Sequence, residues 1–118
     1  MATAVIICNG EFPRREYPRY LIKTADYVVC CDGAADAYMR HSLRINGYER
    51  RPDAVIGDMD SLRATLRKKL ADFIVRVDEQ DYNDLNKAFR YVIGRYGDVD
   101  TIHILGAGGK REDHTIGN

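Results

Sequence analysis

The sequence has few of the features that mark membrane, secreted or fibrous proteins. Its 118 residues include three prolines and three cysteines, no net charge, and no apolar run longer than a few residues. We therefore expect no membrane-spanning helix, and with no basic segment followed by an apolar stretch at the start, no secretory signal. Apolar residues make up 45% and charged residues 31%, which excludes a disordered tail or a fibrous repeat. A pI near 6.8 argues against a surface that wraps nucleic acid.

The cysteines argue against a structural metal site. Cys8, Cys30 and Cys31 lie inside apolar runs and form no CxxC pair. A structural zinc site needs two such pairs of Cys or His ligands, so we expect none. Buried, reduced thiols are typical of a cytoplasmic protein. The length predicts one domain over residues 1–118.

The zero net charge results from an unusual choice of charged residues. The acids are 13 Asp and 5 Glu, and the bases are 13 Arg and 5 Lys. Asp is poor in helix interiors and favoured at caps, turns and metal sites. Arg binds phosphate or carboxylate through paired hydrogen bonds. The composition therefore points to a site for a cation and phosphate.

Short β-branched runs alternate with segments of helical periodicity. The predicted strands are Ala4–Cys8, Tyr27–Cys31, Ala54–Ile56, Phe73–Val77 and Thr101–Leu105. The predicted helices are Ala34–His41, Leu62–Leu70 and Asp84–Tyr96, the last ended by Gly97, while Glu11–Tyr20 is left as a loop or irregular helix. Near-continuous apolar strands are typical of a sheet covered on both faces. We expect a three-layer, Rossmann-like α/β domain with a mostly parallel sheet.

The end of the sequence suggests a longer protein. A glycine-rich loop follows the last predicted strand, and a new helix is expected to begin where the sequence stops at Asn118. Independent domains rarely end at such a point. We therefore expect residues 1–118 to be a fragment truncated at its C-terminus.

Acidic residues follow four of the five predicted strands. These segments are Asp32-Gly33, then Asp58-Met59-Asp60-Ser61, then Asp78-Glu79-Gln80-Asp81 with Asp84, and finally Gly106–Arg111 with Asp113-His114. The carboxyl ends of parallel strands share one edge of the sheet, which is where open α/β folds bind ligands. Helix capping would need only one Asp or Ser per helix. The pattern therefore predicts a functional site at this edge.

The spacing of the acids favours a hard metal ion. Asp58 and Asp60 are two residues apart, so in extended chain their carboxylates leave on the same side. Asp81 and Asp84 are three apart at a helix start, which places them on one face. Mg²⁺ with bound phosphate would neutralise such crowded carboxylates. Taken singly, these acids also fit a turn capped by Ser61 or favourable helix-dipole placement.

Basic residues at the same edge suit phosphate. The loop Gly106–Arg111 offers backbone N–H groups beside Lys110 and Arg111. It is not a Walker A loop, because Ile104 replaces the first glycine and Arg111 the Ser or Thr. Lys87 fits either phosphate contact or a pair with Asp84. His114 fits a base, a hydrogen-bonding clamp or a structural role.

These segments, in order along the whole chain, resemble thiamin pyrophosphokinase. The matching motifs are Asn9-Gly10, Cys31-Asp32-Gly33-Ala34-Ala35, Gly57-Asp58-Met59-Asp60-Ser61, Gln80-Asp81-Tyr82-Asn83-Asp84 through Lys87, and Gly106 through His114. The resemblance implies diphosphoryl transfer from ATP to the hydroxyethyl group of thiamin, giving thiamin diphosphate and AMP. It also implies a homodimer and a second, β-sandwich domain that contributes to the thiamin pocket and is absent from residues 1–118.

The resemblance implies roles for individual residues. It implies that Asp58, Asp60 and Asp84 hold Mg²⁺ and that Gln80 lies near the thiamin pyrimidine. It places around the nucleotide and its phosphates Asp32, Ser61, Asp81, Lys87, Arg111, Asp113 and His114. We expect the same nucleotide site to include Gly33, Asn83, Gly109 and Lys110. Two positions depart from the family pattern, which usually has Thr in place of Asn83 and Gly in place of Lys110.

The implied chemistry agrees with the residues present. Diphosphoryl transfer needs in-line positioning and charge neutralisation more than a covalent intermediate. Lys87 and Arg111 would stabilise developing charge, beside the Mg²⁺ ligands. Asp81 and Asp113 are both candidates for accepting the thiamin hydroxyl proton.

Two other classes share part of the pattern. A receiver-type signalling module is also a small parallel α/β domain with an acidic Mg²⁺ pocket, but its first strand ends in adjacent acids where this chain has Asn9-Gly10. A nucleotide-sugar transferase could use Asp58-x-Asp60 as its metal motif. It would leave the acids after the fourth strand and the glycine-rich loop unexplained.

Overall fold

A computed structural model of the chain describes residues 1–60, 62–77 and 83–107 and the backbone of 114–117. Strands and helices alternate along these residues. The strands are β1 (Ala2–Ile7), β2 (Tyr27–Cys31), β3 (Ala54–Gly57), β4 (Ile74–Arg76), β5 (Val99–Leu105) and β6 (His114–Gly117). The helices are α1 (Glu16–Thr24), α2 (Ala35–Asn46), α3 (Ala64–Lys69) and α4 (Asp84–Arg95), with single 3₁₀ turns at Asp32–Ala34 and Ala71–Phe73.

The strands of the described residues form one sheet in the order β4-β3-β2-β1-β5-β6. The first five run parallel, with Val5 paired to Val28 on one side and to His103 on the other. The sixth strand runs antiparallel to β5, with Ile116 opposite Ile102. The prediction of an α/β domain with a mostly parallel sheet is therefore confirmed.

The core lies in two layers, one on each face of the sheet. Side chains alternate along each strand, so Val5 and Ile7 join one layer while Ala4 and Ile6 join the other. Helices α1, α2 and α3 cover the first layer through buried residues that include Ile22, Tyr38 and Leu66. Helix α4 covers the second through Ala88 and Val92, one turn apart. Burying a side chain as large as that of Val92 contributes about 1.5–3 kcal/mol to the stability of the fold.

Three local predictions were wrong or incomplete. The segment Glu11–Tyr20, left as a loop or irregular helix, contains the start of α1 at Glu16, and Pro18 lies in the first turn, a position that tolerates proline. Helix α2 continues past His41 to Asn46 and ends at Gly47, which has a φ of 84°. Helix α4 ends at Arg95, one residue before the predicted limit, and Tyr96 leaves the helical conformation to stack on Tyr27 at 4.0 Å.

A sixth strand was not predicted. Residues His114–Gly117 form a strand on the free edge of β5. This pairing satisfies the backbone groups that an edge strand would otherwise expose. The three cysteines are buried and free, as expected. Within the described ranges, no helix is long and apolar enough to cross a membrane.

Candidate functional site

Four aspartates lie where the parallel strands end, and we call Asp32, Asp58, Asp60 and Asp84 the acidic edge. Asp32 follows β2 directly, Asp58 follows β3, and Asp84 begins α4. The parallel register brings the ends of β2 and β3 side by side, with Cys31 paired to Ile56. The prediction that these acids meet at one edge is therefore confirmed for the described residues.

Asp32 is the buried member of the acidic edge. The residue is only 2% exposed, and its Oδ2 accepts a hydrogen bond of 2.9 Å from the backbone N–H of Met59. Its Oδ1 is buried and has no hydrogen-bond partner among the described residues. A buried carboxylate oxygen without a donor is costly and calls for a ligand or cation.

The charge state of Asp32 reflects its surroundings. Burial raises its pKa to about 6, and the negative charge of Asp84 adds to the rise. The Asp58 carboxylate acts in the same direction, whereas the N–H of Met59 acts in the opposite one. These carboxylates therefore lie close enough to repel one another, which is the situation that a bound cation relieves.

A tight turn presents the next two acids. We call residues 58–60 the aspartate turn. Met59 at its centre is 3% exposed and has a φ of 74°, an unfavourable conformation for a residue with a side chain. The backbone N–H of Asp60 donates to Asp58 Oδ1 at 3.0 Å. That hydrogen bond, assisted by the charge of Lys87, holds the pKa of Asp58 below its usual value.

Glycine is required directly before the turn. Gly57 has a φ of 149°, and a Cβ placed on it would lie 2.6 Å from Asp32 Oδ2. Only a residue without a side chain lets β3 pass this close to the Asp32 carboxylate.

Asp84 is held by a residue that the sequence analysis did not include among the site residues. Asn9, which follows β1, donates from Nδ2 to Asp84 Oδ2 at 2.9 Å. Its Oδ1 would lie 2.7 Å from a Cβ on Gly33, so this glycine also serves close packing. The signal that points to Asn9 is the one used for the acids, namely a polar residue immediately after a parallel strand.

The adjacent loops also meet through glycines. The N–H of Gly10 donates to the carbonyl of Gly106 at 2.9 Å. A Cβ on Gly10 would lie 2.1 Å from that carbonyl oxygen. The start of the glycine-rich loop is therefore fixed beside the end of β1.

Of the basic residues that the sequence analysis assigned to the site, Lys87 is the one that lies among the described residues. Its side chain is 8% exposed, and its Nζ lies 3.8 Å from Asp84 Oδ1. The predicted pair with Asp84 is therefore present. The ammonium is positioned to neutralise one carboxylate, and it also stabilises the charged form of Asp58.

Asn83 serves as the N-cap of α4. Its Oδ1 accepts a hydrogen bond of 2.8 Å from the N–H of Asn86. Asn is among the best N-cap residues and ranks somewhat above the Thr that the family pattern usually has there. The structure thus gives this departure a local role in starting the helix that carries Asp84 and Lys87.

Several predicted site residues lie outside the described residues. They are Ser61, Gln80, Asp81, Gly109, Lys110, Arg111 and Asp113. His114 is described only through its backbone, which lies in β6 opposite Ile104. Their roles stay predictions.

The predicted ligands do not form a closed metal cage. Within residues 1–60, 62–77 and 83–107, no three Asp, Glu, His or Cys side chains are arranged to hold a metal ion. Mg²⁺ usually keeps several waters and binds through one or two carboxylates together with substrate phosphates. Asp58 and Asp84 supply hard oxygen donors beside the buried Asp32 carboxylate, so the acidic edge fits Mg²⁺ that arrives with phosphate.

Comparison with known proteins connects this edge to one family. The family model for the catalytic domain of thiamin pyrophosphokinase matches residues 18–118. No curated protein sequence matches the chain significantly. Among solved structures, a thiamin pyrophosphokinase family protein from Enterococcus faecalis has a TM-score of 0.68 and 20% identity over 93% of this chain and 49% of its own.

Two further structures are similar. Thiamin pyrophosphokinase from Geobacillus thermodenitrificans has a TM-score of 0.59 and 26% identity, over 92% of this chain and 48% of that one. Thiamin pyrophosphokinase from Candida albicans has a TM-score of 0.65 and 24% identity, over 80% of this chain and 32% of that one. The chain thus spans about half the length of these bacterial relatives and about a third of the fungal one.

The family match covers the chain from α1 onward and includes every strand end that carries an acid. It decides against the receiver-type module and the nucleotide-sugar transferase. The chain belongs to the family of thiamin pyrophosphokinase catalytic domains.

Proposed function

We propose that this domain binds Mg²⁺ and ATP at the acidic edge and that, in the complete enzyme, it transfers a diphosphate group from ATP to thiamin. The products are thiamin diphosphate and AMP. The observation that carries the proposal is the buried Asp32 carboxylate, whose Oδ1 lacks a partner among the described residues and which lies against Asp58 and Asp84 in a member of this family.

The acids divide into ligands and supports. Asp58, Asp60 and Asp84 would hold Mg²⁺ directly. Asp32 fixes the aspartate turn by accepting the N–H of Met59. Asn9 orients Asp84 through its side-chain amide. When bound, Mg²⁺ neutralises the triphosphate oxygens and the negative charge that develops during transfer.

The remaining chemistry belongs to the basic and proton-accepting residues. Lys87, held beside Asp84, would contact the transferring phosphates and stabilise their charge. Arg111 would act in the same way, and Asp81 or Asp113 would accept the proton of the thiamin hydroxyl. The transfer itself depends on in-line alignment of thiamin and ATP, which these groups supply by position rather than by covalent bonding.

We further propose that nucleotide recognition lies mainly in this domain and thiamin recognition mainly elsewhere. One support is that the acidic edge is formed entirely by residues of this chain. The other is that this chain spans only about half or a third of the length of its relatives, which leaves other segments to bind thiamin. The expected homodimer and second domain would complete the thiamin pocket. The 118-residue chain should therefore bind nucleotide but turn over little thiamin.

Calorimetric titration tests this division. The chain is titrated with α,β-methylene-ATP, whose α–β bridge resists cleavage, with and without Mg²⁺, and then with thiamin. We expect heat of binding for the nucleotide that requires Mg²⁺ and little heat for thiamin. Thiamin binding as tight as nucleotide binding, or nucleotide binding indifferent to Mg²⁺, would contradict the proposal.

A further inference from the structure

One arginine outside the predicted site reaches back to the aspartate turn. Arg67 lies in α3, and its Nη2 donates to the backbone carbonyl of Met59 at 2.7 Å. The same nitrogen donates to the carbonyl of Leu62 at 3.0 Å. The backbone N–H of Arg67 donates to the backbone carbonyl of Arg63 at 2.8 Å. The guanidinium therefore extends from a fixed backbone.

The turn needs such support because of its backbone conformation. Met59 has a φ of 74°, which side-chain crowding disfavours in every residue except glycine. Asp32 holds the N–H of Met59 at 2.9 Å, and Arg67 holds its carbonyl. Both polar groups of this residue thus bond to side chains from other elements, and its carbonyl also accepts the backbone N–H of Leu62 at the longer distance of 3.3 Å. Asp58 and Asp60 flank Met59, so the directions of their carboxylates depend on its conformation.

A neighbouring arginine shows that this contact is specific. Arg63 lies one turn earlier and pairs through Nη2 with Asp36 of α2 at 2.6 Å. Its guanidinium is 68% exposed and engages a carboxylate on the surface. Exposed pairs of that kind contribute little to stability. Arg67 instead engages backbone carbonyls of the segment that follows β3.

We propose that Arg67 is a positioning residue that keeps Met59 in its left-handed conformation and so directs Asp58 and Asp60 toward the metal. The part that concerns the metal rests on the proposed function. Arg67 touches neither metal nor nucleotide in this account. Its role is comparable to that of residues that orient metal ligands, whose loss typically lowers metal affinity 10–100-fold.

The test uses three variants of the 118-residue chain. Arg67→Met removes the donor, Arg67→Lys keeps a cation with a single donor point, and Arg63→Met, directly before the same helix, is the matched control. Mn²⁺ replaces Mg²⁺ as an electron paramagnetic resonance probe, and its affinity is measured with α,β-methylene-ATP. Amide hydrogen exchange of Met59 reports the turn itself, and chemical denaturation reports global stability.

We expect Arg67→Met to lower Mn²⁺ affinity about tenfold and to speed exchange of the Met59 amide by a similar factor. Arg67→Lys should fall between that variant and the wild type, and Arg63→Met should match the wild type in both readouts. Wild-type Mn²⁺ affinity and wild-type Met59 exchange in Arg67→Met would overturn the proposal. So would a loss of stability without either change, since that marks a residue that only supports the helix.

The two readouts separate this proposal from the proposed function. If the wild-type chain bound no Mn²⁺ in the presence of nucleotide, the proposed function would fail. Met59 exchange in Arg67→Met would then still decide whether Arg67 holds the turn. Because Arg67 is exposed, Arg67→Lys should fold, so its Mn²⁺ affinity and Met59 exchange can be compared with those of the wild type.

Discussion

Asn9 donates a hydrogen bond of 2.9 Å to Asp84 across 75 positions of the chain. It joins the end of β1 to the start of α4 and fixes one acid of the acidic edge from a neighbouring strand. The hydrogen bond is exposed, so its value for stability is about 0.5–1.5 kcal/mol or less. Its larger effect should be on the direction of the Asp84 carboxylate.

Asn9→Ala should therefore weaken Mg²⁺-dependent nucleotide binding more than it weakens the fold. We expect an affinity loss of about tenfold, as for other residues that orient metal ligands. Calorimetry with α,β-methylene-ATP gives the affinity, and urea denaturation gives the stability. The control is Asn86→Ala, an exposed asparagine in α4. Equal affinity in both variants would show that Asn9 has no part in the site.

Two glycine substitutions should act in opposite directions. Gly57→Ala places a Cβ 2.6 Å from Asp32 Oδ2 at a φ of 149°, and should destabilise the chain by about 1–3 kcal/mol. Gly94→Ala adds a Cβ in α4 with nothing within 4 Å, and should stabilise by about 0.5–1 kcal/mol. Urea denaturation of both variants measures the difference. A neutral Gly57→Ala would refute the close approach of β3 to Asp32.

The cap of α4 predicts how position 83 tolerates change. Asn83→Ala removes the acceptor for the Asn86 N–H and should cost about 1 kcal/mol of stability. Asn83→Thr keeps an acceptor and should change stability by less than half of that. Chemical denaturation measures both. If threonine cost as much as alanine, the role of residue 83 would not be capping.

His41 gives a prediction for the dependence of stability on pH. Its ring stacks on Phe12 at 5.0 Å, and burial together with the charge of Arg19 holds its pKa below the usual value. The arginines at positions 40 and 44 of the same helix act in the same direction.

Because the folded state binds this proton less tightly than the unfolded state, its contribution to stability is present above a pH of about 6.5 and is lost as the pH falls from there through the lower pKa of the folded state. Proton NMR titration of the His41 ring should give a midpoint below that of a free histidine. A midpoint at or above about 6.5 would contradict the packing described here.

The fold was predictable because its signals are local and strong. The run Tyr27–Cys31 is uniformly apolar and matches β2 residue for residue. Helix α4 follows from apolar positions three and four residues apart, of which Ala88 and Val92 are buried. The start of α1 could not be distinguished from a loop, because its prolines obscured the helical pattern and its helix is stabilised by packing of Leu21 and Ile22.

The candidate site was predictable in its location but not in its internal contacts. The ends of parallel strands identify Asp32, Asp58 and Asp84 from the sequence. The left-handed Met59 and the hydrogen bonds from Asn9 and Arg67 arise from approaches between distant segments. No residue spacing encodes these contacts. Sequence periodicity likewise gave no sign that β5 would acquire an antiparallel neighbour.

Asp58→Asn keeps the size of the side chain at the acidic edge and removes its charge. The matched control is Asp72→Asn, an exposed acid in the 3₁₀ turn that precedes β4, at the opposite end of that strand. Calorimetric titration of the wild type and both variants with α,β-methylene-ATP in Mg²⁺ measures what each acid contributes. We predict that Asp58→Asn loses at least tenfold in affinity while Asp72→Asn keeps the wild-type value. Equal affinity in all three proteins would contradict the assignment of Mg²⁺ and nucleotide to the acidic edge.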